Sequence, residues 1–239
     1  MVIIKYRGFK MIVKKIITAA KLLVFDRGNL VRIIVAYLSM VRVFLKYKLL
    51  IKVNTHEKNL LINCGANIGQ SNDFFERLLP TNTDYILIEP NPHCCAILRE
   101  KFTTPNYKIV EAAVWVSEGE VMISGLDSNQ NRLSQAATIS SGESGNSNDR
   151  GLMNVKSLDL ADFIQSLSSN YDNIYMKMDI EGAEYPVLEH MMATDSFSLI
   201  NDIYIEFHPW AGNTFMGEGF DLNEFMIRLK KASPFYYWL

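Results

Sequence analysis

From about residue 57 the chain alternates between short apolar runs and segments whose apolar residues recur at helical spacing. The run "NLLINCG" (59–65) predicts a buried strand, and "QSNDFFERLL" (70–79) a helix that Pro80 stops. "DYILIEP" (84–90) predicts a second strand. "NPHCCAILREKF" (91–102) follows as a helix, with Asn91 as its cap and Pro92 at its first position. "YKIVEAAVWV" (107–116) predicts a third strand, and "EVMISG" (120–125) an added edge strand. Residues 125–154 are rich in Ser, Asn and Gly without periodicity and predict a long surface loop. Then come "SLDLADFIQSL" (157–167, helix), "NIYMKMDIEG" (173–182, strand), "AEYPVLEHMMA" (183–193, helix), "INDIYIEFHP" (200–209, strand) and "DLNEFMIRLKKA" (221–232, helix), before "PFYYWL" at 234–239. Strands alternating with helices predict an α/β domain over residues 53–239, with a parallel sheet covered on both faces. With 239 residues, 49% of them hydrophobic, the chain suffices for one such core plus an accessory segment.

The pattern before residue 53 is different. Read as a helix, Arg32, Ser39, Arg42 and Lys46 fall on one narrow stripe. Ile33, Ile34, Tyr37, Leu38, Val41, Phe44 and Leu45 cover most of the remaining circumference. Lys10, Lys14 and Lys21 form a similar stripe earlier. Residues 1–52 carry twelve Lys and Arg against one acid, Asp26, a net +11. The rest of the chain carries the other twelve basic residues and twenty-five acids, a net −13. The nine uncharged residues between Arg32 and Arg42 are too few to span a bilayer, which takes about 20. The segment is also unlike a signal peptide, since charges run through it and no small-residue cleavage site follows. A basic stripe beside a wide apolar surface suits an anionic membrane interface. The alternative is an amphipathic helical arm packed on the main domain or a second subunit. It lacks the polar, interleaved face that grips nucleic-acid phosphates.

Three cysteines, two of them adjacent (Cys94 and Cys95), make no disulfide framework and point to a reducing, cytoplasmic compartment. No Cys-x-x-Cys or His-x-x-x-His spacing suggests structural zinc. Cys64, Cys94 and Cys95 are expected as buried small hydrophobes, Met176 and Met178 as core, and His93 and His190 on helix surfaces.

The segment "LLINCGANIGQS" (60–71) is a strand, a glycine turn and a helix start, the nucleotide-binding geometry of open α/β sheets. A phosphate-cradling loop needs a Lys beside its last glycine, and Gly69 has none. A dinucleotide turn needs Gly-x-Gly-x-x-Gly, whereas here the spacing is Gly65-x-x-x-Gly69. Glu89 ends the next strand, 24 residues beyond Gly65, where a carboxylate can accept both ribose hydroxyls of an adenosine. A close-approach turn and a ribose carboxylate without a phosphate grip favour S-adenosylmethionine.

"NCGANIGQS", "IEPNP", "KMDIEGAEYPVL" and "IYIEFHP", in this order over about residues 57–208, resemble the FkbM family of S-adenosylmethionine-dependent methyltransferases. "MDIEGAE" is the most specific of these elements. The resemblance implies a class I, Rossmann-like methyltransferase fold and O-methylation, often of sugars in surface glycans or of natural products. It also implies that Gly65, Ala66, Asn67 and Gly69 contact the methionine end of the cofactor and Glu89 its ribose. Ala112 and Ala113 would flank the adenine. Where the family usually has Asp, this chain has Asn63, an amide that can hydrogen-bond the cofactor but brings no negative charge for its ammonium. After the last helix only "PFYYWL" remains, so the family's usual antiparallel strand pair is expected to be incomplete.

Methyl transfer to a hydroxyl is an in-line displacement in which the enzyme aligns the acceptor and removes its proton. Asp179 and Glu181 are expected where an apolar strand ends, with Glu184 on the next helical turn and Glu206 and His208 ending the neighbouring strand. Asp179 or His208 can serve as base, beside Glu181. Alternatively, Asp179 with Glu206 can hold a divalent cation that lowers the hydroxyl pKa. Glu181 and Glu184 also suit the N-terminus of a helix, where negative charge is favourable. The acceptor implied is a carbohydrate or glycolipid, met at the inner face of a membrane. Two rivals stand beside this reading: a metal-dependent glycosyltransferase using Asp179 and Glu181, and a non-catalytic, membrane-attached binding module.

Overall fold

The computed structural model describes residues 57–124, 138–139, 152–208, 211–233 and 235–237. The arm expected over residues 1–52, and all of the 125–154 loop except 138–139 and 152–154, lie outside the described residues.

Burial on both faces explains why the apolar runs become strands. All six residues of the first strand, Asn59–Cys64 (β1), are buried. Successive side chains of a strand point to opposite faces. Leu60, Ile62 and Cys64 accordingly enter one core cluster and Leu61 another. The helix Asn72–Leu78 (α1) covers the Leu61 face through Phe75 and Leu78, together with Leu98 of Pro92–Lys101 (α2). The opposite face receives Leu160, Ala161 and Ile164 of Leu160–Leu167 (α3). It also receives Tyr185, Leu188 and Met191 of Glu184–Ala193 (α4), and Phe225 and Leu229 of Leu222–Ala232 (α6). The short Gly212–Met216 (α5) precedes α6.

The main sheet also contains Thr83–Glu89 (β2), Tyr107–Glu111 (β3), Asn173–Met178 (β8), Asp202–Ile205 (β9) and Phe235–Tyr237 (β10). Its order is β10-β9-β8-β1-β2-β3, and every pairing is parallel. This is the doubly covered α/β sheet that the alternation predicts. Of the "PFYYWL" segment, Phe235–Tyr237 joins it as the strand β10, parallel to β9, instead of as part of an antiparallel pair.

Four expectations are corrected. The run 107–116 is two strands: β3 stays in the main sheet, while Ala113–Trp115 (β4) leaves for a second sheet. That sheet has the order β4-β7-β5-β6, with Gly119–Ser124 (β5) inside it, so "EVMISG" is no edge of the main sheet. Thr138–Ile139 (β6) and Met153–Asp159 (β7) complete it, so residues 138–139 and 153–154 are strand where a continuous loop is expected. The helix expected from residue 157 starts at Leu160, because Asp159 ends β7 and its side chain accepts the Ala161 and Asp162 amides as an N-cap.

Other local readings are borne out. Asn91 caps α2 by accepting the His93 amide, with Pro92 in the first position. The three cysteines are free and buried, and burial pushes their thiols up to about 12. His190 is not a simple surface residue, since its Nε2 meets Asp159 Oδ2 at 3.1 Å.

Candidate active site

β1 and β8 end side by side at the middle of the sheet, with Asn63 alongside Lys177 and Cys64 alongside Met178. Open α/β sheets bind ligands outside the carboxyl ends of such strands. After β1 the chain bends toward β2, and the Gly65 and Ala66 amides both donate to the Ile88 carbonyl at 3.0 Å. Gly65 has φ 75°, and a Cβ there would stand 1.7 Å from the Asp179 carbonyl oxygen. Only glycine fits. Asn67, at φ 48°, continues the turn.

Glu89 ends β2 under this turn. Its Oε2 accepts the Asn67 amide and its Oε1 the Asn91 amide, both at 2.9 Å. Burial pushes its carboxyl above the usual range, while the two amides and Lys177 pull it back. Each oxygen keeps a further lone pair for a ligand hydroxyl.

The end of β8 is organised by a lysine that the sequence reading passed over. Lys177 is 2% exposed, and its Nζ donates to the Gly65 carbonyl and to Asp179 Oδ2, each at 3.0 Å. A single basic residue inside "IYMKM" was the available signal, since a buried ammonium needs partners. Asp179, Ile180, Glu181 and Gly182 then turn into α4, with Glu181 at φ 53° and Gly182 at φ 104°. Glu184 is wholly buried, and its Oε1 accepts both the Ile180 amide, at 3.0 Å, and His208 Nδ1–H, at 2.9 Å. It therefore caps the turn and orients the imidazole together. His208 Nε2 faces Glu181 Oε2 at 3.4 Å. Burial alone would lower the His208 pKa, but the bond to Glu184 and the charges of Glu184, Glu181 and Asp179 raise it to about 9. At neutral pH this side chain is an imidazolium. Burial pushes Glu181 and Glu206 upward, and so do the neighbouring carboxylates.

Between these turns lies a solvent-open cleft at the carboxyl ends of the strands. Its lining is polar at Gly65, Asn67, Glu89, Asp179 and Glu181, and apolar at Ala112, Ala113, Val114, Ile123, Ile139 and Ala183. Ile123 and Ile139 come from the second sheet, and nothing in the sequence announces them. Among the described residues no lysine or arginine lines the cleft.

Seven of the expected residues thus meet there. Asn63 and Ala66 are buried beneath the turn, and Gly69 packs on Phe102, where a Cβ would come within 2.5 Å of the ring. His208 and Glu206 stand behind the lining and act on it through Glu181 and Asp179. The side chains whose ligand atoms lie within 4.8 Å of one another are Asp179, Glu184 and His208, and Glu206 is not among them. Asp179 Oδ2 is already bonded to Lys177 and Glu184 Oε1 to His208 Nδ1, so these donor atoms are engaged within the protein and the set does not have the open ligand atoms of a metal site.

A family model described as the methyltransferase FkbM domain matches residues 63–232. The chain belongs to the FkbM methyltransferase family. The FkbM match runs from Asn63 near the end of β1 to the last residue of α6, and so takes in the glycine turn, the second sheet and the acidic turn at 179–184. A search among curated proteins found no match. Methyl transfer is therefore the activity of this FkbM domain, with S-adenosylmethionine as the donor its family implies. The cleft fits that donor: a carboxylate for ribose hydroxyls, apolar walls for a base and, among the described residues, no cation for a phosphate. Among the described residues no helix is long and apolar enough to cross a membrane.

Proposed function

We propose that the domain is an S-adenosylmethionine-dependent O-methyltransferase acting on a sugar hydroxyl of a glycan or glycolipid. The observation that carries the reading is a cleft with a ribose-type carboxylate, Glu89, beside apolar walls and, among the described residues, no lysine or arginine in its lining. A nucleotide-sugar glycosyltransferase would need a side-chain cation or a metal ion for its diphosphate. Glu89 holds the ribose hydroxyls, Gly65 and Asn67 the methionine end, and Ala112, Ala113 and Val114 the adenine.

Bound there, the donor supplies a methyl carbon already activated by its sulfonium. The protein has only to align the acceptor oxygen and take its proton. Glu181 does the latter: it lines the cleft, and the neighbouring His208 holds it in place at 3.4 Å. The carboxylates of Asp179 and Glu181 at one wall also suit a polyol, whose hydroxyls donate hydrogen bonds. The +11 charge and apolar faces of residues 1–52 support a peripheral place on the anionic inner face of a membrane. The test is transfer of labelled methyl from S-adenosylmethionine to glycan and glycolipid fractions of the source cell, with linkage analysis of the product. Label on a sugar oxygen is expected; label confined to protein or to nitrogen would end the proposal.

A further inference from the structure

Asn63, where the family resemblance implies an acid, is an amide, and the fold turns it away from the cleft. Asn63 is completely buried on the α1 side of the sheet, where its Nδ2 donates to Ser71 Oγ at 3.1 Å and to Asn72 Oδ1 at 2.7 Å. It lines no part of the cleft. A donor with a free α-ammonium would meet no charge from that position.

One strand over, the geometry offers a replacement. Because β1 and β8 are in parallel register, Asp179 comes to rest beside Gly65, its amide donating to the Cys64 carbonyl at 3.1 Å. Its carboxylate belongs to the polar lining of the cleft and is 26% exposed. Lys177 fixes Oδ2 from below, whereas Oδ1 accepts no hydrogen bond among the described residues. Around it, four carboxylates (Asp179, Glu181, Glu184 and Glu206) face two cations, Lys177 and His208. The surplus is negative, so this part of the cleft favours a cation.

We infer that Asp179, positioned by Lys177, binds the α-ammonium of the methionine moiety and so takes over the part that Asn63 cannot play. This rests on the S-adenosylmethionine reading above. It assigns Asp179 to cofactor recognition and leaves proton removal to Glu181. An ammonium offers three N–H donors, and a partly exposed carboxylate with a free oxygen meets one of them by a charge-assisted bond.

The test compares two ligands by calorimetry on the full chain: S-adenosylhomocysteine, which has the ammonium, and 5′-methylthioadenosine, which lacks the whole amino-acid end. Asp179→Asn is expected to weaken the first by roughly tenfold to a hundredfold, the scale of one charged hydrogen bond, and to leave the second within about twofold. Retained methylthioadenosine binding also shows that the variant is folded. Asn63→Ala should shift both affinities together and keep their ratio, since that side chain touches only the turn. The inference is overturned if Asp179→Asn weakens both ligands equally or neither, or if Asn63→Ala weakens S-adenosylhomocysteine alone. If the unaltered protein bound neither ligand, the cofactor reading itself would fall, and the inference with it.

Discussion

The two ends of the central sheet are built from the same strands and treat polar groups in opposite ways. At the amino ends, amides satisfy one another. Asn173 Nδ2 donates to Asn59 Oδ1 at 3.1 Å, Asn201 Nδ2 to Asn173 Oδ1 at 3.1 Å, and Asn82 Nδ2 to the Glu57 carbonyl at 2.7 Å. This chain of bonds, in which Glu57 Oε2 also accepts from Asn173 Nδ2 at 3.0 Å, leaves the amides of that end partnered within the protein. At the carboxyl ends the side chains are charged and the backbone is held in left-handed turns, at Gly65, Asn67, Glu181 and Gly182. Acceptor capacity is left over there: Glu184 Oε2 is buried with no hydrogen-bond partner among the described residues. A closed network stabilises a fold, whereas an over-supplied, strained one is available for binding and chemistry.

The contrast breaks most severely at Gly65. Gly65→Ala puts a methyl group 1.7 Å from the Asp179 carbonyl oxygen at a positive φ. The expected cost is on the order of 3 kcal/mol, read by chemical denaturation, with loss of methyl transfer. A cost below about 1 kcal/mol would mean that the two turns are not locked together.

Glu89 tests the ligand side. Glu89→Ala should weaken cofactor binding by roughly 1.5–3 kcal/mol, measured by calorimetry, through loss of the ribose contacts and of the Asn67 and Asn91 amide anchors. Unchanged affinity would remove Glu89 as the ribose ligand.

A pH titration sharpens the charge difference between the ends. His208 is raised from 6.5 to about 9 in the folded chain, so its contribution is fully present below 6.5 and is lost as pH rises through about 9. Allowing for solvent screening, stability should fall by roughly 1–2 kcal/mol across that window. Glu184→Gln should flatten the fall and bring the imidazole toward its ordinary pKa by NMR. An unaltered slope would show that the Glu184 bond does not hold the proton.

The smallest effect belongs to the amino end. Asn201→Ala removes the acceptor for the Ile174 amide, 2.8 Å away, and should cost about 1 kcal/mol. Cofactor affinity should not change. If it did, the two ends would be coupled through the sheet.

Some of this was legible in the chain. Continuous apolar runs at 59–64, 84–89, 173–178 and 202–205 marked the buried strands, and Asn91-Pro92 marked a helix start, because burial and capping are local demands. Glycine spacing and the acid at 89 likewise pointed to S-adenosylmethionine, the donor that the family implies. The boundary at Asp159 was missed although "MNVKSLD" alternates with the buried Val155, Ser157 and Asp159, because its apolar residues also satisfy a helical spacing.

What tertiary structure alone decided is which groups meet. Period-two alternation says that Asn63 lies opposite to Ile62 but not that this face is roofed by Ser71 and Asn72. Lys177 reaches a carbonyl 112 residues away, and Glu184 a histidine 24 residues on. Ile139 reaches the cleft only because β6 pairs with β5. The sequence by itself determined the buried central strands, the Asn91 cap and the family, since these depend on neighbours along the chain. The charge state of His208, the displacement of Asn63 from the cleft and the exposure of Asp179 depend on neighbours across the sheet. Electrostatic energy follows distance and burial, and neither is written in residue order.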